Sequence, residues 1–169
     1  NIPSRNLKNY ISTTFRKIKK IIEKNLIDTI FCPSYEGGHQ DHDVANFICS
    51  RLKNLCKTFE FAEYNYFGKR INSNSFFNNV KKTKILRLNE SDMKFKKKCL
   101  EIYQSEKKNL NYISIFNEVY RELPIHDYKI PPHIGTLFYR RFRLFSWHPR
   151  VDKDTPEEVC QKIIQSEIF

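Results

Sequence analysis

Two histidines three positions apart follow a pair of glycines in the stretch Pro33-Ser34-Tyr35-Glu36-Gly37-Gly38-His39-Gln40-Asp41-His42-Asp43. Neutral imidazole is a good zinc ligand, and its pKa near neutrality lets it trade protons with a substrate. Paired glycines reach backbone angles barred to other residues, so the chain can turn sharply there and bring its backbone close to a ligand. If a helix begins near Asp41, His39 and His42 stand about one turn apart on one side of its N-terminus, where they can converge on one ion or substrate. A carboxylate that accepts the second ring N–H of a histidine fixes its tautomer, and Asp41 is close enough in sequence to do this for His39 and to favour its charged form. The same spacing also fits a plain helix start with two exposed histidines, Asp41 or Asp43 serving as the cap.

The flanking sequence predicts the elements that must hold this stretch. From Leu7 to Leu26 the apolar residues Leu7, Tyr10, Ile11, Phe15, Ile18, Ile21 and Ile22 recur at helical spacing, with Lys and Arg on the other face. Ile27 to Pro33 is a short apolar run ending at a proline, which reads as a buried strand feeding the glycine loop. A second helix is expected from about Asp41 to Lys57, burying Val44, Phe47, Ile48, Leu52 and Leu55. Helix, strand, loop and helix in that order suggest an α/β sheet with some parallel strands, whose ligands sit beyond the C-terminal strand ends. Phe59 to Phe67 and Thr83 to Leu88 are further strand candidates, separated by a polar loop from Arg70 to Asn79. Asn89-Glu90-Ser91-Asp92 offers caps for a helix to about Tyr103, and Asp154-Thr155-Pro156-Glu157-Glu158 reads as a helix start.

Composition narrows the classes. The 169 residues, 40% of them hydrophobic, suit one domain or a piece of a somewhat larger one, and 14 Phe, 9 Tyr and 1 Trp argue against disorder. The net charge of +11 raises a nucleic-acid or anionic-membrane partner, but the lysines are spread over 17–24, 81–84 and 94–98, as on solvated helix faces. A nucleic-acid-binding role is therefore disfavoured. Five scattered cysteines without a C-x-x-C pair point to reduced, buried thiols and a cytoplasmic setting. No apolar run approaches the roughly 20 residues of a transmembrane helix.

The opening Ile2-Pro3-Ser4-Arg5-Asn6-Leu7, the basic helix after it and the motif from Pro33 to Asp43 together resemble the PIG-L/LmbE-like zinc-dependent de-N-acetylases, whose second motif usually reads G-G-H-P-D-H. Gln40 stands where proline is usual, at a position that supplies no ligand. Tyr103-Gln104-Ser105-Glu106 is similar to the family's Y-x-S-Q pattern. Glu118-Val119-Tyr120-Arg121, with Pro131-Pro132-His133 beyond it, resembles the E-x-F-R segment and its proline-rich continuation, while Arg140 stands where many members carry an acid. The similarity runs over roughly residues 1 to 145, leaving 146–169 as a variable C-terminal helix.

The resemblance implies a Rossmann-like sheet flanked by helices and the removal of an acetyl group from an N-acetylglucosamine-type sugar conjugate. It makes His42 a ligand of zinc (Zn2+), and His39, held by Asp41, the group beside the carbonyl oxygen. Tyr35, Glu36, Glu118, Arg121 and His133 become substrate-binding candidates, and Arg5 a pocket residue; for Glu118 and Arg121 a structural ion pair competes. The family's earlier A-H-P-D-D-E motif, which supplies two further ligands and the base, has no match. The expectation is therefore a domain lacking its N-terminal βα portion, inactive until that segment is supplied. Whether this chain is itself an enzyme stays open, since a degenerate binding or scaffold protein would show the same pattern.

Overall fold

The computed structural model describes residues 2–78, 82–103, 112–142, 147 and 151–169. In chain order its elements are α1 (Ile11–Asn25), β1 (Thr29–Pro33), α2 (Gln40–Ser50), β2 (Lys57–Phe61), β3 (Tyr64–Asn65), β4 (Asn72–Ser73), β5 (Lys84–Arg87), α3 (Glu90–Ile102), β6 (Asn117–Glu122) and α4 (Pro156–Ile164). Single 3-10 turns lie at Leu7–Asn9, Phe67–Lys69 and Phe138–Arg140. The fold is mixed α/β: four strands in the order β1-β2-β6-β5, flanked by helices, and a separate β3-β4 ribbon. As expected, β1, the glycine loop, α2 and β2 form a unit whose strands run parallel, with Phe31 opposite Phe59. The other two pairings in the sheet are antiparallel.

The core lies on the α1, α2 and α4 side of the sheet. Val44, Phe47, Ile48 and Leu52 of the α2 region meet Ile11 and Ile22 of α1, Val159 and Ile163 of α4, and the loop residues Tyr35 and Tyr128. This burial is what fixes the start of α2 in space, since a helix this short draws its stability from packing rather than propensity. On the opposite face Phe31, 54% exposed, stacks on Phe59 at 5.2 Å and meets Tyr120 edge-on at 5.7 Å. β1 forms one edge of the sheet. The predicted helix starts hold: Asn89 accepts from the Asp92 amide, and Thr155 and Glu158 cap each other reciprocally at α4.

Three expectations need correction. The second helix stops at Ser50, not Lys57, because residues 51–55 tighten into i→i+3 turns and Lys57 N–H is drawn to Asp28 O at 2.8 Å to begin β2. Leu55 is consequently 37% exposed rather than buried. The strand expected over Phe59–Phe67 breaks at Ala62 and Glu63: the Glu36 carboxylate takes the Glu63 and Tyr64 amides at 2.8 and 3.1 Å, turning the chain into β3. The loop expected from Arg70 to Asn79 contains β4, paired through Ser73 to Tyr64, while Asn79 lies outside the described residues. Gln104-Ser105-Glu106, Ser146 and His148 also lie outside them. All five cysteines are free and four are buried, and among the described residues no helix is long and apolar enough to cross a membrane.

Candidate functional site

The site is built from the turn upward. Gly37 adopts φ +70°, and a Cβ there would meet the Leu137 side chain at 2.7 Å. At Gly38 a Cβ would lie 2.3 Å from the Tyr64 carbonyl oxygen, a backbone atom that cannot swing aside. Asp43, one turn into α2, reaches back: its Oδ1 accepts the Gly37 and Glu36 amides at 3.0 and 3.2 Å. Burial pushes its pKa up to about 7, against the pull of those two amides and of His42. The glycine turn is thus clasped between α2, the 64 region and the Leu137 region. We expect Gly38→Ala to force Tyr64 and the turn apart, seen as lost protection of the Glu63 and Tyr64 amides in hydrogen exchange, and to destabilise the fold by about 1–3 kcal/mol.

His39 and His42 stand side by side at the N-terminus of α2, ring centroids 5.1 Å apart, both side chains partly accessible. Their Nδ1 atoms have opposite surroundings. His39 caps α2, its Nδ1 accepting the Asp41 amide at 3.1 Å, which assigns the proton of the neutral ring to Nε2. His42 Nδ1 lies 2.7 Å from Glu63 Oε2, an oxygen with no other partner among the described residues. Burial opposes the charged form of His42, but the Glu63 contact and the charges of Glu63, Asp43 and Glu36 outweigh it and raise its pKa. Burial and then the charge of His42 lower His39 to about 4, although Asp41 pulls the other way.

The expected Asp41 clamp on His39 is absent. The Asp41 carboxylate accepts the Arg5 and Leu7 amides at 2.6 and 3.0 Å and stays 3.9 Å from His39 Nδ1, so it anchors the N-terminal segment to α2. His39 is consequently a neutral hydrogen-bond donor and not the imidazolium expected from its neighbour.

The remaining candidates divide by position. Tyr35 is a buried post whose hydroxyl donates to Ile130 O at 2.7 Å. Glu36 is fully buried beneath the site, raised to about 8 by burial although the Glu63 amide and the Asn65 side chain pull it down. Glu118 pairs with Lys96 and accepts from Asn74 at 3.0 Å, while the Asn74 amide donates to Glu63 O at 3.0 Å; this ties Glu118 to the residue behind His42. Arg121, its side chain 2% exposed, is committed to Glu60 at 2.7 Å and to Asn78, as the ion-pair alternative has it. His133 is buried between Phe67 and Phe77, 5.5 and 5.3 Å away, its Nδ1 2.9 Å from Ile134 O. It shares no described contact with His39 or His42.

Sequence reasoning missed Glu63, the partner of His42, and the tyrosine beside it: Tyr64 meets the His42 ring edge-on at 6.0 Å. The available signal was topological, since the end of a strand parallel to β1 must come out beside the glycine loop. His126 Nε2 lies 2.9 Å from Glu60 Oε2. A catalytic zinc takes three protein ligands and a water. Among the described residues no three His, Cys, Asp or Glu side chains converge to hold a metal, so this donor set does not by itself fit a complete zinc site. No family model, no curated protein and no solved structure matches the chain.

Proposed function

We propose that this chain is the C-terminal portion of a Rossmann-like, PIG-L/LmbE-like deacetylase domain, acting on an N-acetylglucosamine-type conjugate in the cytoplasm once its N-terminal βα portion is supplied. The observation that carries the reading is the pair of imidazoles at the start of α2 with opposite Nδ1 environments. A carboxylate behind Nδ1 leaves the Nε2 lone pair of a neutral histidine outward, as metal-ligating histidines have it, so His42 would give zinc one of its ligands. An N–H into Nδ1 leaves an Nε2–H donor, so His39 would meet the acetyl carbonyl oxygen as negative charge grows on it. The open edge of β1 supports a further strand beside it, whose C-terminal end would come out next to both histidines. The incomplete donor set favours a second reading, a scaffold protein that keeps the fold without the chemistry.

The test compares residues 1–169 alone with the same chain joined to the polypeptide encoded ahead of Asn1. After chelator treatment, calorimetry with zinc and an acetate-release assay on N-acetylglucosamine conjugates are expected to show weak uptake and no turnover for the first, and tight uptake with turnover for the second. A zinc-loaded joined protein that releases no acetate would sink the enzyme reading in favour of the scaffold.

A further inference from the structure

β5 closes the sheet on the side away from β1 and is bare along its whole length. Among the described residues it pairs with β6 alone, and all four of its residues, Lys84 to Arg87, are exposed. Ile85 is 64% and Leu86 54% exposed although they point to opposite faces, so neither face of the strand is covered. The pairing register assigns the backbone groups. Lys84 stands opposite Tyr120 and Leu86 opposite Glu118, and one step on, Leu88 N–H donates to Phe116 O at 2.9 Å. In an antiparallel ladder, hydrogen-bonded residues alternate with unbonded ones. Lys84, Leu86 and Leu88 therefore bond to β6, and the N–H and C=O groups of Ile85 and Arg87 are turned outward. β6 fixes the same phase from its other side: Ala62 N–H donates to Val119 O at 2.9 Å, so Val119, the residue opposite Ile85, turns its groups to β2.

An open edge with outward N–H and C=O groups invites a further strand, and the side chains beside it decide which strand. Residues 82–98 carry seven Lys or Arg against two acids, Glu90 and Asp92. Glu118, across from Leu86, is already paired with Lys96. A second copy is the wrong occupant. The two-fold antiparallel register that pairs all four residues of β5 sets Lys84 against Arg87 at both ends, and like charges directly opposite destabilise a ladder. Edge lysines guard against self-pairing in this way, and the same charges select an acidic strand. The complementary segment has an acid opposite Arg87, another opposite Lys84, and apolar residues between them opposite Leu86 and Ile85.

We propose that β5 is a docking edge for an extended acidic segment of another protein, which joins the sheet antiparallel to β5. Its backbone bonds to Ile85 and Arg87, and its two acids meet Lys84 and Arg87. The net charge of +11 assists by drawing acidic segments toward the surface. This edge lies at the opposite end of the strand order from β1, so the proposal does not rest on the deacetylase reading.

The experiment is amide hydrogen exchange, followed by NMR, on the isotope-labelled 169-residue chain. The probes are a capped peptide Ser-Glu-Val-Val-Glu-Thr-Glu and its basic counterpart Ser-Lys-Val-Val-Lys-Thr-Lys. Without peptide, the Ile85 and Arg87 amides are expected to exchange faster than those of Leu86 and Leu88. The acidic peptide at saturation should slow Ile85 and Arg87 at least about tenfold, and the basic one should not. Ile85→Pro removes one outward N–H and no bond to β6, so it should weaken the acidic peptide at least about tenfold while Leu86 keeps its protection. Lys84→Glu and Arg87→Glu together should transfer the preference to the basic peptide, whereas Lys57→Glu, on β2, should leave it unchanged; this pair decides the matter if the proline disturbs the fold. No slowing at Ile85 and Arg87, equal slowing by both peptides, or a preference that survives the double charge reversal would overturn the proposal. Slowing at the same two amides on raising the protein concentration without peptide would give the edge to a second copy and overturn it as well.

Discussion

Glu60→Ala is expected to cost the fold about 3–5 kcal/mol, the range for removing one partner of a buried ion pair. Glu60 is fully buried on the inner face of β2, and its two oxygens hold Arg121 Nε at 2.7 Å, Asn46 Nδ2 at 2.9 Å and His126 Nε2 at 2.9 Å. Asn46 in turn donates to Pro33 O at 2.8 Å and accepts from the Tyr128 hydroxyl at 2.6 Å, so the loss would run from the middle of the sheet to the strand that feeds the site. Against a domain stability of roughly 5–15 kcal/mol this is enough to unfold a marginal protein. Glu60→Gln keeps the shape and should lose less. Urea denaturation at neutral pH checks the order.

The same residue sets a pH dependence. Burial alone would raise the Glu60 pKa, but the hydrogen bond and charge of His126 and the charge of Arg121 prevail and hold it below its ordinary value of 4.5. A carboxylate with a lowered folded pKa stabilises the fold fully above its unfolded pKa, and the contribution disappears as the pH falls through the folded value. Stability should therefore drop on acidification below 4.5, and that drop should be shallower in Glu60→Gln. An unchanged acid limb in the variant would show that other carboxylates govern acid unfolding.

In a protein completed by its upstream segment, His39→Ala is expected to lower kcat about 100- to 1,000-fold while leaving bound zinc in place, as for the loss of one oxyanion donor. His42→Ala should instead lower zinc content and turnover together, and Glu63→Gln should weaken zinc about 10- to 100-fold through His42. Asp41→Asn should act on neither imidazole directly: its carboxylate holds the Arg5 and Leu7 amides, so the effect should appear as loosening of the N-terminal segment. Metal analysis beside steady-state kinetics separates these outcomes. If His39→Ala emptied the metal and His42→Ala left it full, the two roles would be exchanged.

What the sequence by itself determined was local. Helical spacing marked α1, the apolar run before a proline marked β1, and the Thr155-Pro156 start marked α4, because each signal lies within a few residues and depends on backbone propensity or on a single face. The glycine pair and the two histidines were equally legible, since a turn followed by a helix start brings their rings together without outside help. What Asp41 would do was misread for a reason of distance: sequence proximity favoured His39, whereas the fold brings the Arg5 and Leu7 amides, more than thirty positions away, onto its two oxygens. The tertiary structure supplied Glu63 for His42, because that pairing follows from β2 running parallel to β1, so that both strands finish at the same end of the sheet. β6 escaped for a related reason. Its inward Arg121 breaks the polar-out pattern of a strand, and that placement makes sense only once Glu60, sixty-one positions earlier, is seen waiting on the neighbouring strand. The chain thus wrote its turn and its helices in short-range code, and left the electrostatic partners of its charged groups to the packing.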